Sequence, residues 1–396
     1  MDRSSRGQVD PFIVMYVVAE AARLEAAGRH IIHMEVGQTG TSAPAGARAA
    51  LVRELGQSSL GYTVSLGIPA LRAGIADLYR RWYGVELNPD RVVVTAGSSG
   101  AFLLAFTALF DAGDRVGMGE PGYPSYRQIL KALSLVPVGI PASVENRLQP
   151  VPGDMAGLDL QGLIVASPGN PSGTMLSRGA LGDLVGYAAE RRIRFVSDEI
   201  YHGLHYGARA VSALEVSDDL YVVNSFSKYF SMTGWRVGWM VVPEDHIRTV
   251  ERLAQNMFIC APHAAQVVAL AALDCVEELE GNRATYAKNR QLMLEGLPKA
   301  GFTKIAPPDG AFYVYADVSD LTQDSVAFAA ELLREAGVAV TPGVDFDPVR
   351  GRQRVRFSYA RATADIEVGL ARLRDYMGAR AGASGSAECG HSALDV

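Results

Sequence analysis

Between about residues 91 and 242, short apolar runs alternate with longer stretches of helical period. Val92-Val93-Val94, Val116-Gly117-Met118, Leu163-Ile164-Val165, Ile193-Arg194-Phe195-Val196 and Leu220-Tyr221-Val222-Val223 each predict a strand. Between them, 100–110, 125–133 and 181–192 predict helices, the first with Phe102, Leu103, Phe106 and Leu109 on its apolar face. The strands show little alternation of apolar and polar positions, as expected where both faces are covered. Strands alternating with helices predict an α/β fold with a mostly parallel sheet covered by helices. Helical patterns follow at 247–256 and 264–279. From about 283 to 377 the pattern changes to helix 283–297, strand Ala311-Phe312-Tyr313-Val314-Tyr315, helix 325–336, strand Arg354-Val355-Arg356-Phe357 and a closing helix, which predicts a smaller α+β domain. The expected organisation is an N-terminal segment over 1–44 packing with the small domain, a large domain over 45–282, the small domain over 283–378, and a Gly-, Ala- and Ser-rich tail over 379–396 expected to be disordered.

Composition narrows the function classes. The chain has 396 residues, 48% of them hydrophobic, and a formal net charge of -6, so neither nucleic acid nor an anionic membrane surface is an expected partner. Three scattered cysteines, Cys260, Cys275 and Cys389, make no disulfide framework or zinc site and fit a reducing, cytoplasmic setting. The run from Phe12 to Val18 is short and leads into charged helical sequence, which predicts a packed helix and not a signal peptide. No apolar stretch is long enough to span a bilayer.

The candidate chemistry falls just past the predicted strands, where open α/β sheets bind ligands. After Leu220-Tyr221-Val222-Val223 come Ser225, Ser227, Lys228 and Arg236. Hydroxyls and a guanidinium suit a phosphate. A lysine among cationic neighbours is freed to attack a carbonyl and form a Schiff base. Phosphate and aldehyde together suggest pyridoxal 5′-phosphate (PLP). Thr95-Ala96-Gly97-Ser98-Ser99-Gly100 joins strand to helix and either meets a phosphate at the helix N-terminus or is an ordinary turn with a serine cap. Tyr123 either stacks on a planar ring or simply packs. Asn170 is presented by a double-proline turn, Ser167-Pro168-Gly169-Asn170-Pro171. Asp198, just after a buried strand, is costly there unless paired, and a protonated pyridine nitrogen would pair it; a plain helix cap is the alternative. Tyr201, three residues on, is placed to donate to the same ring. The pairs His202/His205 and His30/His33 lack a third ligand, so no metal is expected.

Taken in order, Thr-x-Gly, Glu-Pro-x-Tyr-Pro-x-Tyr, Asn-Pro-x-Gly, Asp-Glu-x-Tyr, Ser-x-Ser-Lys and Gly-x-Arg-x-Gly resemble the motifs of fold-type I PLP enzymes, in particular the class I/II aminotransferase family, over 37–377. The resemblance implies a PLP-transferase-like large domain and a PLP-dependent aminotransferase acting on an L-amino acid and a 2-oxo acid. It implies that Lys228 holds PLP and shuttles the Cα proton, that Asp198 pairs with the ring nitrogen, that Asn170 and Tyr201 bond the phenolic oxygen, and that Tyr123 stacks on the ring. Ser98, Ser99, Ser225, Ser227 and Arg236 would hold the phosphate. Tyr62 matches a tyrosine that reaches the phosphate of a neighbouring subunit, implying a homodimer with shared active sites. Arg356, in Arg356-Phe357-Ser358-Tyr359-Ala360, matches the arginine that meets the substrate carboxylate, and is preferred to Arg352 and Arg354 on the same strand face; Gly37 matches the glycine facing that carboxylate.

The sequence departs from the family where Gly37-Gln38-Thr39-Gly40 replaces the common Gly-x-Pro-Asp-Phe, and it shows no clear second arginine, which favours a neutral, apolar or aromatic donor over aspartate. A carbon–sulfur β-lyase or an aminocyclopropane-carboxylate-synthase-like enzyme shares the same motifs. A PLP-sensing transcription regulator is disfavoured, because the residues before Gly37 leave no room for a helix-turn-helix module.

Overall fold

The structure, a computed structural model, describes residues 3–388. In chain order its main elements are α1 (Ile13–Ala26), β1 (Ile32–His33), α2 (Ala45–Leu55), α3 (Pro69–Tyr83), β2 (Val92–Thr95), α4 (Gly97–Leu109), β3 (Arg115–Glu120), α5 (Pro124–Ala132), β4 (Val136–Pro141), β5 (Gly162–Ala166), α6 (Arg178–Glu190), β6 (Arg194–Asp198), β7 (Tyr221–Ser225) and β8 (Gly238–Val241). They continue as α7 (Ile247–Met257), α8 (His263–Ala272), α9 (Val276–Lys299), β9 (Lys304–Ile305), β10 (Tyr313–Asp317), α10 (Ser325–Glu331), β11 (Val338–Ala339), β12 (Thr341–Pro342), β13 (Arg354–Ser358) and α11 (Thr363–Glu388).

The chain divides into two compact units. The larger holds the segment ending at Pro11, Thr41–Arg283 and Pro308–Ala311; the smaller holds Phe12–Gly40, Ala284–Pro307 and the chain from Phe312 on. Two short segments therefore depart from the expected division. Residues up to Pro11 group with the larger unit because Asp10 is tied to α5, its amide donating to Gln128 (3.0 Å) and its carboxylate pairing with Lys131 (2.7 Å). Pro308–Ala311 groups there because Tyr206 N–H donates to the Asp309 carbonyl (2.8 Å) and Met175 N–H to its carboxylate (3.0 Å).

In the larger unit a seven-stranded sheet has the order β2-β8-β7-β6-β5-β3-β4. All neighbours are parallel except β8, which is antiparallel to both β2 and β7. β4 carries Pro137 and Pro141 and lies at the sheet edge, the place where a strand can do without those backbone donors. Helix α4 buries Phe102 and Phe106 against a core that includes Tyr126, Val223 and Met240. Truncating either phenylalanine would cost about 3–5 kcal/mol, so the N-terminus of α4 is firmly placed over the sheet.

The smaller unit has a four-stranded antiparallel sheet, β12-β13-β10-β9, and a parallel pair, β1-β11. Where the sequence predicts two helices broken near Gly281, the break lies earlier and α9 runs through Gly281. A glycine costs a helix only about 1 kcal/mol relative to alanine, and Leu279, Tyr286, Met293 and Leu297 are buried at helical spacing along α9. The expected disorder from 379 is likewise corrected, because α11 continues to Glu388. Alanines at 379, 381, 383 and 387 extend an existing helix at little cost. The remainder of that expected tail, 389–396, lies outside the described residues. No described helix is long and apolar enough to cross a membrane.

Candidate active site

Sheet register gathers the candidate residues of the larger unit. Thr95 and Ser225 both pair with Gly238, so the ends of β2 and β7 flank the start of β8. Asp198, the last residue of β6, pairs with Ala166 on one side and Val223 on the other. All lie at the carboxyl ends of the parallel strands.

One cluster is an anion cradle. Ser225 Oγ donates to Ser227 Oγ (2.8 Å) and accepts from Ser227 N–H (3.0 Å), fixing both hydroxyls in a tight turn. Arg236, in the left-handed region with φ 52°, donates from Nη1 to the Thr233 carbonyl (2.8 Å) and lies 3.5 Å from Ser227 Oγ. Its guanidinium sits directly over Gly97, where a Cβ would collide with it. Gly97 also has φ +70°, so glycine is required there on both counts. Helix α4 starts at Gly97 with no side-chain cap on Ala96, leaving a positive helix end beside the guanidinium. Ser98 is half-buried at this end, whereas Ser99 is exposed. The structure thus brings Ser98, Ser225, Ser227 and Arg236 together and turns Ser99 outward.

The second cluster surrounds Asp198, which is 3% exposed. Its carboxylate accepts from the Tyr126 hydroxyl and from Ile200 N–H (3.0 Å). Burial pushes its pKa up to about 6, opposed by these two donors and by the charge of Lys228. Lys228 Nζ stands 5.6 Å from the centroid of the buried Tyr201 ring. Tyr123 is the residue before α5 and meets Tyr126 edge to face at 5.3 Å. Asn170 is buried in its double-proline turn and, with Tyr123 and Tyr126, lines a small cavity of about 30 Å³.

Sequence reasoning missed Tyr126, although it stands in the same Tyr-Pro-x-Tyr run as Tyr123. The spacing of three, from the residue before α5 into its first turn, lets the two rings meet, which is the signal that would have found it. Burial beside Asp198 raises its pKa well above the usual phenol value, so it remains a donor at all physiological pH.

Behind Asp198 lies a second buried carboxyl. Glu199 accepts from Ala213 N–H (2.7 Å), Ser212 Oγ (2.9 Å) and Ser197 Oγ (3.2 Å). Burial pushes it up to about 8, with Asp198 adding to the rise. A raised acid pKa means that the folded state keeps a proton which the unfolded chain gives up above about pH 4.5. The stability from this proton is present in full below that pH and is lost as pH rises through about 8. Glu199→Gln, whose amide stands for the protonated carboxyl, should flatten the decline in unfolding free energy between about pH 5 and 8 in urea titrations. An unchanged slope would show Glu199 ionised throughout.

His202 braces a loop. Its Nε2 lies 2.8 Å from the Ser167 carbonyl and its Nδ1 2.7 Å from the Tyr83 hydroxyl. A carbonyl only accepts, so Nε2 carries the proton and Nδ1 receives that of Tyr83. Burial pushes the imidazole down to about 3, so it is neutral while it holds the start of the turn that presents Asn170.

Tyr62 stands apart, 83% exposed on the surface of the larger unit. Arg356 and Gly37 belong to the smaller unit. Of the three alternating arginines, Arg352 is exposed, Arg354 pairs with Asp317 (3.0 Å) and Arg356 is 3% exposed. The Arg356 guanidinium lies between the rings of Tyr313 (4.3 Å) and Phe346 (4.7 Å), and its Nη2 donates to the Glu35 carbonyl and to Thr341 Oγ1 (3.2 Å). The backbone of Gly37 passes so close to the Tyr313 hydroxyl that no side chain fits there.

The cradle and the carboxylate fit PLP on their own chemistry. Asp198 is a buried carboxylate whose pKa is raised by burial, and a protonated pyridine nitrogen would offset that cost. The Ser225 and Ser227 hydroxyls one strand away, the Arg236 guanidinium and the α4 N-terminus suit the phosphate, and Lys228 directly follows Ser227.

Comparisons with known proteins agree. A family model described as aminotransferase class I and II matches residues 29–373. A valine–pyruvate aminotransferase of Mycobacterium tuberculosis is 47% identical over 378 residues, covering 94% of this chain and 97% of that protein. A solved structure from Silicibacter pomeroyi, 68% identical, superposes with a TM-score of 0.92 over 96% of this chain and 100% of that one. The aspartate aminotransferase of Thermus thermophilus with maleate, 32% identical, gives a TM-score of 0.89 over 95% of this chain and 99% of that one.

Proposed function

Since this chain belongs to the class I and II aminotransferase family, and is thus a PLP-dependent transaminase, we propose that it moves the amino group of a neutral L-amino acid to a 2-oxo acid, with Lys228 as the cofactor-binding and proton-carrying residue. The observation that carries this reading is the placement of Asp198 and Lys228 in one another's field, beside the Ser225–Ser227–Arg236 cradle.

PLP, when bound, supplies an aldehyde for the amine and a protonated ring that withdraws electrons from the amino acid Cα. The chain supplies the rest. Ser98, Ser225, Ser227 and Arg236 hold the phosphate, with Ser99 at the rim. Asp198, oriented by Tyr126 and Ile200 N–H, keeps the ring nitrogen protonated. Tyr123 covers one ring face, and Asn170 and Tyr201 donate to the phenolic oxygen. Lys228 Nζ would carry the proton from Cα to the cofactor carbon in the first half-reaction and in the reverse direction in the second. Arg356 receives the substrate carboxylate, with the Gly37 backbone facing it. The guanidinium suits that task because two rings and the Glu35 carbonyl hold its plane.

The neutral donor is favoured because the relative named for valine and pyruvate is 47% identical, against 32% for the aspartate aminotransferase. A homodimer with shared active sites is part of the reading. Tyr62, in the larger unit, is 83% exposed, free to reach the phosphate of a second copy. Cys260 and Cys275, free among the described residues, suit the cytoplasm.

The test is to mix PLP-loaded protein with single amino acids, without an acceptor, and follow its visible absorption. Stoichiometric conversion to the aminated cofactor is expected, fastest with branched neutral donors such as valine. Aspartate as the fastest donor would overturn the specificity, and ammonia with pyruvate in place of the aminated cofactor would favour the β-lyase.

A further inference from the structure

The smaller unit contains an ion relay that the chemistry above does not use. His33, the last residue of β1, has both ring nitrogens engaged by carboxylates: Nδ1 lies 2.8 Å from Glu35 Oε1 and Nε2 lies 3.0 Å from Glu25 Oε1. A neutral imidazole has one N–H and cannot donate to two acceptors that only accept, so His33 is an imidazolium here. The two carboxylates, Glu35 foremost, hold its pKa up to about 9.

The two ends of the relay differ. The Glu25 side chain is 43% exposed, whereas that of Glu35 is 1% exposed. Glu35 Oε2 is buried with no hydrogen-bond partner among the described residues. A carboxylate taken out of water in this way needs a cation to stay charged, and His33 is the one that touches it.

The main chain of Glu35 serves a different partner. Its carbonyl accepts from Thr341 Oγ1 (2.6 Å) and from Arg356 Nη2. Thr341 Oγ1 itself lies 3.2 Å from the same Nη2, closing a triangle that sets the guanidinium plane. The residue held by His33 through its side chain therefore holds Arg356 through its backbone, two residues before Gly37.

We propose that His33 is a positioning residue for substrate recognition: its imidazolium pins the buried Glu35 carboxylate, and so fixes the Glu35 carbonyl that aims Arg356 at the α-carboxylate common to amino acid and 2-oxo acid. This rests on the role given to Arg356 above. The cofactor cradle and Lys228 lie in the larger unit, so the effect belongs to substrate binding and not to the proton transfer.

The experiment compares His33→Ala, His33→Gln, the neutral pair His33→Gln/Glu35→Gln, and Arg356→Ala with and without His33→Gln, all as PLP-loaded enzyme. KM and kcat are measured for donor and acceptor, and PLP affinity by fluorescence. Loss of the ionic hydrogen bond should raise both KM values about tenfold in His33→Ala, with kcat and PLP affinity unchanged within about twofold. The neutral amide pair should return KM close to that of the parent, because no buried charge is left uncompensated. In the Arg356→Ala background, His33→Gln should add nothing, since the two act through one carbonyl. If Arg356→Ala raises KM while both His33 variants leave it unchanged, or if the His33 effect persists in full without Arg356, the proposal is wrong and the role of Arg356 stands. A fall in kcat or PLP affinity that accompanies the KM change would show general loosening and overturn it. If Arg356→Ala leaves KM unchanged, the role of Arg356 itself fails and takes the proposal with it. Should His33→Ala fail to fold, His33→Gln and the neutral pair decide the matter alone.

Discussion

Lys228→Ala is expected to lower transamination by about 10⁴-fold or more while the protein still holds PLP. The size follows from what is removed: a positioned acid–base group contributes up to about 10⁴-fold by itself, and the covalent link to the cofactor goes with it. The retention follows from the cradle. Ser225, Ser227, Arg236 and the N-terminus of α4 hold one another through contacts that do not include Nζ. Rates are measured by single-turnover absorbance, and retained cofactor by absorption after gel filtration. A small primary amine added from solution should restore part of the activity, because it replaces the missing base but not the tether. Turnover within tenfold of the parent would remove Lys228 from the chemistry, whatever the cofactor content.

Asp198→Asn should lower kcat/KM by about 10²–10⁴-fold. The amide keeps the shape and an acceptor for Ile200 N–H but loses the charge that would keep the ring nitrogen protonated. Breaking a buried ion pair by removing one partner costs about 3–5 kcal/mol, which sets that range. The same site gives a pH signature. Without cofactor, burial places Asp198 at about 6, so its anionic form is the minority below that pH. Capture of PLP by the cofactor-free protein should strengthen as pH rises through about 6, and this limb should vanish in Asp198→Asn. A limb that survives the substitution would assign the titration to another group.

The strand-end chemistry was legible because each motif follows a run of apolar residues, and sheet topology then places those runs side by side. Ser225, Asp198 and Thr95 are far apart in the chain, yet each could be read as sitting at a carboxyl end. Orientation was harder to read. Strand β8 is a short apolar run like the others, and nothing local in Trp239-Met240-Val241 says that it runs against its neighbours. The edge strand β4 hid behind its two prolines, which argue against a strand until its place at the edge is known. At the site, candidate contacts to a cofactor were read from residue type, whereas the supporting contacts depend on tertiary packing. The donation from Tyr126 to Asp198 joins α5 to β6, and the hold of His202 on Ser167 joins two loops. Neither partner is near the other in sequence. The helical tail shows a different limit, since low-complexity composition resembles disorder unless a preceding helix is there to be extended.

The antiparallel strand β8 also has a consequence for how the enzyme is made. Strand β2, which leads into Gly97 and Ser98, meets the rest of the sheet only through β8. A ribosome that has delivered β2 must go on to Val241 before that strand has a neighbour. At roughly 5–20 residues per second this leaves the first half of the phosphate cradle waiting on the order of ten seconds. Contacts so distant along the chain form late in folding. On this order of events the two halves of the cradle come together only in a chain whose seven-stranded sheet is complete.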